Sequence, residues 1–151
     1  MRRRFYVDTS VWRGVYDPRV SFDSILFFNM VNKRSDICLY SKVVEKELRG
    51  APKEAQKFLK IFWYDKKEKL NITSEVLRLA RVYVDEGVVS NKSMNDCIHV
   101  AVATIYQVGM LVSWNFKHIV GKCKAKAYND INVRLGYSKL NIYSPREVLE
   151  L

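Results

Sequence analysis

The sequence has no long apolar run, no low-complexity tract and no cysteine framework, and each absence removes a class of protein. No stretch of its 151 residues approaches the roughly 18 consecutive apolar residues that a membrane-spanning helix needs. Arg2-Arg3-Arg4 opens the chain, but too few residues follow before Asp8 to form the apolar region of a signal peptide, so the expected location is the cytoplasm. The cysteines are three, Cys38, Cys97 and Cys123, an odd number without close pairing, which excludes a disulfide scaffold and fits a reducing compartment. Cys97 and His99, two apart, would point to different sides of a helix, which argues against zinc. No linker or repeat breaks the chain, so residues 1–151 are expected to form a single domain.

What is present is an ordinary apolar content, 48%, enough for a packed core, and a formal net charge of +10. Such a charge serves solubility or draws polyanions such as RNA, DNA or an acidic partner protein. It names a partner class and no chemistry.

Short apolar runs alternate with helical patterns. Arg4–Val7, Ile37–Tyr40, Met110–Ser113 and Leu140–Tyr143 read as strands. Between them, Ser21 can cap a helix with Phe22, Ile25, Leu26 and Met30 inward. Ser41 can cap one reaching Arg49 that stops at a left-handed Gly50, with Pro52 opening the next. Thr73 begins a helix with Val76, Leu77, Ala80 and Val84 inward, and residues 93–108 form a helix apolar almost all round after Asp96, hence buried. Gly136 ends a helix through Tyr128, Ile131 and Leu135, and Ser144-Pro-Arg-Glu147 reads as a capping box. The alternation predicts an α/β fold, a mainly parallel sheet of four to five strands with helices on both faces. Sites on such sheets form beyond the carboxyl ends of the strands, at Asp8-Thr-Ser10, Ser41 and Ser113-Trp-Asn115.

Three acids gather around that edge. Asp8 follows the first strand directly, although Asp-Thr-Ser there is also an ordinary turn or helix cap. Glu47 flanks the stripe of Val43, Val44 and Leu48, although a solvated helix-face glutamate looks the same. Asp96 opens the buried helix, where the dipole favours a carboxylate but the apolar neighbours Cys97, Ile98, Val100 and Ala101 demand a metal ion or a backbone cap as offset. Converging carboxylates make an oxygen-rich site suited to Mg²⁺ or Mn²⁺, which can polarise a phosphate and lower the pKa of bound water. On a basic protein that chemistry points to phosphodiester hydrolysis.

Tyr6-Val-Asp-Thr-Ser10, Val44-Glu-Lys-Glu-Leu48, Asn95-Asp-Cys-Ile-His-Val-Ala101 and Leu111-Val-Ser-Trp-Asn-Phe-Lys-His-Ile119, in this order, resemble the motifs of PIN domains. Gly136-Tyr137 and Tyr143-Ser-Pro145 extend the match over nearly the whole chain, and the likeness is to small VapC-type toxins of toxin–antitoxin pairs, in their Trp-Asn-Phe-Lys-His subgroup. The resemblance implies a three-layer α/β/α fold, Mg²⁺- or Mn²⁺-dependent ribonuclease activity, an antitoxin partner and a homodimer. It implies that Asp8, Glu47 and Asp96 hold the metal, directly or through water, with Thr9, Ser10 and Ser113 orienting the acids. A fourth acidic position of many PIN domains falls on Asn115, which leaves three formal negatives and implies weaker metal binding.

Around this set, His99 reads as a hydrogen-bonded core histidine or a general base. Lys117, His118, Lys122 and Lys124 read as RNA backbone contacts or a solvated face. Phe62-Trp-Tyr64 reads as core or dimer surface, and Asp130 as a weak substitute for the missing acid. Two other functions compete with an endoribonuclease. One is a PIN-fold module that holds RNA or protein without cutting. The other is a phosphatase or receiver with Asp8 as phosphoacceptor, which fits worse because Ser10 stands where such phosphatases carry a second aspartate.

Overall fold

The computed structural model describes residues 2–151. Five parallel strands, β1 (Arg4–Val7), β2 (Ile37–Ser41), β3 (Lys67–Leu70), β4 (Met110–Val112) and β5 (Asn141–Tyr143), form one sheet in the order β3-β2-β1-β4-β5. The order reverses at β1, so its carboxyl end, beside that of β4, is the switch point at which such sheets open a crevice. Helices cover both faces, giving the expected three layers.

Strand alternation divides the core in two. Tyr6, Leu39, Leu111 and Ile142 point to one face, where they meet Ala80 and Tyr83 of α5 (Ser74–Asp85), Val100 and Ala103 of α6 (Met94–Ile105), and Tyr128 of α7 (Lys122–Arg134). Phe5, Val7, Cys38 and Val112 point to the other face, against α1 (Thr9–Gly14), α2 (Ser21–Lys33), α3 (Lys42–Leu48), α4 (Lys53–Ile61) and α8 (Pro145–Leu149). There Trp12 is enclosed by Phe28, Phe58 and Phe62 at ring separations of 4.7, 5.9 and 5.5 Å.

Several local expectations are corrected. α2 buries Phe27, Phe28 and Val31 and leaves Phe22, Ile25 and Leu26 exposed. A helix apolar on most sides carries little phase information, and the aromatic cluster around Trp12 selects the buried face. α5 turns Leu79 and Tyr83 inward and exposes Leu77. Gly50 has no left-handed backbone, since the positive-φ glycines are Gly87, Gly109, Gly121 and Gly136. Phe62 is core while Trp63 and Tyr64 are exposed. β3, absent from the sequence reading, is an edge strand of sequence Lys-Glu-Lys-Leu, whose charges hide it from an apolar-run criterion and blunt the sheet edge.

Three of the expected caps form, but Ser21 does not cap α2: it is the first helical residue, after Val20, and the helix start carries no side-chain cap bond. Ser41 accepts from the Val43 N–H, Thr73 from that of Val76, and Ser144 with Glu147 forms a complete capping box. No helix among the described residues is long and apolar enough to cross a membrane.

Candidate active site

Asp8 is the first residue after β1, at the expected strand edge, and the N-cap of α1, so its reading as a helix cap holds. Its carboxylate is nearly inaccessible, at 3% exposure. Oδ1 accepts from the Ser10 N–H (3.1 Å) and the Ser10 hydroxyl (2.6 Å), and Oδ2 from the Ser113 hydroxyl (2.8 Å) at the end of β4. Burial raises its pKa, the nearby Asp96 charge adds to the rise, and His99, Ser10 and Ser113 offset it only in part.

Glu47 lies on α3 with one oxygen doubly engaged. Oε1 accepts from the Thr9 hydroxyl and pairs with His99 Nε2, both at 2.7 Å. Burial alone would raise Glu47, but the His99 hydrogen bond and charge outweigh it, with Thr9 helping, and the carboxyl titrates below its ordinary range. The other ring nitrogen of His99, Nδ1, meets the Tyr6 hydroxyl (2.8 Å), which meets Ser41 Oγ (2.9 Å). His99 is thus the expected core histidine, 1% exposed, and also the partner of a cleft acid. Burial works against its charged form, yet the Glu47 hydrogen bond and the charges of Asp8, Glu47 and Asp96 raise its pKa on balance.

Asp96 sits in the first turn of α6, three residues before His99 and on the same side of the helix. Burial raises its pKa and Glu47 adds to the rise, while His99, His118 and the Asn115 amide, which donates to Oδ1 at 3.2 Å, offset it. Asn115 Oδ1 in turn accepts the His118 N–H (3.0 Å), and its backbone carbonyl accepts from Ile119 and Val120. The fourth position is therefore also the organiser of the turn after β4.

Asp8, Thr9, Ser10, Glu47, Asp96, His99 and Asn115 line one cleft of about 360 Å³. Arg13 completes the lining and was missed from the sequence, though it stands one helical turn after Thr9, on the same side of α1. Lys117, His118, Lys122 and Lys124 do not line this cleft. The Lys124 ammonium is turned away to the Val88 carbonyl (2.5 Å), and Asp130 pairs with Lys126 (2.7 Å).

Among the described residues no three His, Cys, Asp or Glu side chains stand close enough to enclose an ion by themselves. The donor set nevertheless suits a hard cation. Its acids offer only oxygen, and Asp8 and Asp96 are held above their ordinary pKa values by burial, with the Asp96 charge adding to the rise at Asp8 and the Glu47 charge to that at Asp96, a strain that a positive charge relieves. Mg²⁺ takes one or two carboxylates and fills its octahedron with water and substrate oxygens, so a closed protein cage is not required.

No protein-family model matches the sequence, and no curated protein does. The fold does match a solved one. A chain of the VapBC2 complex from Rickettsia felis, crystallised with a DNA fragment from its promoter, superposes with a TM-score of 0.59 over 93% of this chain and 98% of that one, at 14% identity. At that identity the likeness establishes the fold alone, which is the PIN-like three-layer α/β/α architecture.

Proposed function

We propose that this chain is a metal-dependent endoribonuclease, the toxin-like member of a toxin–antitoxin pair. The observation that carries the reading is the gathering of Asp8, Glu47 and Asp96 in one cleft at the switch point of a sheet whose fold is shared with a VapBC2 chain. Asp8 and Asp96 would hold Mg²⁺ or Mn²⁺, with Glu47 acting on a ligated water. The ion, when bound, supplies Lewis-acid polarisation of the phosphate and a water of lowered pKa. Ser10 and Ser113 fix the rotamer of Asp8 by donating to both its oxygens. His99 and Thr9 hold one oxygen of Glu47, and Asn95 adds a further hydrogen bond to its carboxylate, fixing the side chain at the cleft wall. Arg13 offers a positive charge at the mouth for a flanking phosphate. The antitoxin partner rests on the VapBC2 likeness, and a small neighbouring reading frame encoding a DNA-binding pattern is the corresponding genomic expectation.

The test is cleavage of single-stranded RNA by the purified chain with Mg²⁺ or Mn²⁺. Asp8→Asn and Asp96→Asn should each cut its rate about a thousandfold while circular dichroism stays unchanged, and EDTA should stop the wild type. Cleavage that survives both substitutions, or EDTA, overturns the proposal.

One observation favours a second reading, a PIN-fold module that binds without cutting. The amide of Asn115 faces Asp96 and its oxygen is spent on the His118 N–H, so this position contributes no charge. Calorimetric titration with Mn²⁺ separates the two: no heat at millimolar metal selects the binding module.

A further inference from the structure

A second cleft, of about 610 Å³, opens beside the acidic one and shares Ser10, Arg13 and Asn115 with it. Its wall is aromatic. Trp114 lies against Gly14 so closely that a Cβ there would stand 3.2 Å from the indole Cδ1 and 2.6 Å from Ser24 Oγ, so only glycine fits. The indole N–H donates to that Ser24 oxygen (2.9 Å), which itself donates to the Val20 carbonyl (2.8 Å), fixing the ring. The Trp114 N–H donates to Ser10 Oγ (2.8 Å), the same hydroxyl that donates to Asp8. The aromatic wall is thus held in register with the acid by one shared side chain.

Phe116 stands two residues on, on the turn that the Asn115 carbonyl closes. Its ring is 58% exposed, 6.4 Å from Trp114, and no other ring covers it. Phe22, Ile25 and Leu26 are exposed too, but they lie on α2 and line neither of these two clefts. Phe116 combines an exposed ring with a place in the cleft that adjoins the acids, where Arg13 is a shared wall. Arg13 makes no ion pair among the described residues, whereas Arg19 is neutralised by Asp17 at 2.8 Å, so the net positive charge of this mouth is that of Arg13. An open ring beside a guanidinium suits a base and its phosphate. A base within a duplex cannot present its face, so the strand must be unpaired here.

We infer that this second cleft is a nucleotide subsite: Phe116 stacks on one unpaired RNA base next to the scissile phosphate, and Arg13 takes the phosphate between the two clefts. The inference rests on the nuclease reading of the first cleft and adds to it the subsite, and the ring, that grips the base beside the cut.

Binding is read apart from cutting, by fluorescence anisotropy of a short labelled single-stranded RNA titrated with the full-length chain in EDTA, the probe checked for integrity afterwards. Phe116→Ala should weaken binding about tenfold and Phe116→Tyr should restore it, since one base–aromatic stack is lost and regained. Arg13→Gln should lower the slope of log affinity against log salt by about one. A 5-iodouridine probe, photo-crosslinked, should mark the peptide containing residues 114–117. Unchanged binding in Phe116→Ala, equal losses in the Ala and Tyr variants, equal sensitivity of a duplex probe, or a crosslink confined to residues 122–126 each overturns the subsite. Because no step requires hydrolysis, an enzyme that fails to cleave can still pass this test. One that cleaves only with Asp8 intact can still fail it.

Discussion

Asp8 and Glu47 line the same cleft, and their surroundings treat a negative charge in opposite ways. Asp8 is sealed at the end of β1 with neutral hydroxyl donors, which leaves its carboxyl above the ordinary range. Glu47, half-buried on α3, leans on His99 and falls below it. A cleft with one fully compensated acid and one compensated only in part directs an incoming cation to the latter, where Asp96 is raised as well. The difference teaches that burial by itself does not mark a ligand. The partner does: a buried acid whose hydrogen-bond donors are neutral hydroxyls and an N–H is left with a charge that an incoming cation can stabilise.

The comparison breaks most visibly at Asp8. Asp8→Asn keeps the acceptor oxygen that caps α1, so the chain should fold, while RNA cleavage falls by a factor on the order of a thousand, the scale of one lost pre-organised electrostatic contact. The same variant should melt higher in metal-free buffer. A carboxyl whose folded pKa is raised above its ordinary 3.8 penalises the native state as pH climbs past that value. The gain should therefore be present at neutral pH, roughly 2–4 °C for a chain of this size, and vanish in acid. Calorimetric melts at two pH values check it, and a lower Tm at pH 7 would contradict the account of Asp8.

His99→Gln probes the compensated side. It should cost about 1–3 kcal/mol by removing a buried, charge-assisted hydrogen bond. The pH profile carries the signature. Glu47, lowered, contributes above its ordinary 4.5 and loses its contribution as pH falls through the folded value, while His99, raised, contributes below 6.5 and loses its contribution as pH rises through its folded value. The stability difference between wild type and variant, measured in EDTA, should be widest between those two values and narrow on either side. A flat difference would mean that the pair is not ionic.

Asn115→Asp makes the smallest change and sharpens the contrast. A carboxylate beside Asp96 should lower the Tm in EDTA and tighten Mn²⁺ about tenfold by calorimetry, since affinity rises with ligand charge. The Asn115 oxygen that accepts the His118 N–H survives the substitution, so the turn should hold.

Legibility in the sequence followed chemistry more closely than shape. The parallel sheet, the capping residues Ser41, Thr73 and Ser144, and the positions of Asp8 and Asp96 could be read because each depends on local residue types or strand order, whereas Glu47 needed the family resemblance. The face of α2 could not, because its apolar residues surround the axis and only the tertiary cluster at Trp12 decides among them. β3 could not, because an edge strand is free to carry charge. The His99–Glu47 contact joins residues 52 apart in sequence. Only the i, i+3 spacing of Asp96 and His99 hinted that the histidine shared the acids' side of α6. Arg13 left a similar trace after Thr9, too faint without a known direction for α1.

Asp8 also caps α1, and asparagine caps a helix as well as aspartate does. Exchanging the two takes one nucleotide. If the proposed nuclease reading holds, a lineage carrying this gene is a single mutation away from a chain that folds, keeps its basic surface and its aromatic cleft, and no longer cuts. Selection on binding alone would not notice the loss, and descendants of this architecture should include noncutting members whose cores are indistinguishable from those of the cutters.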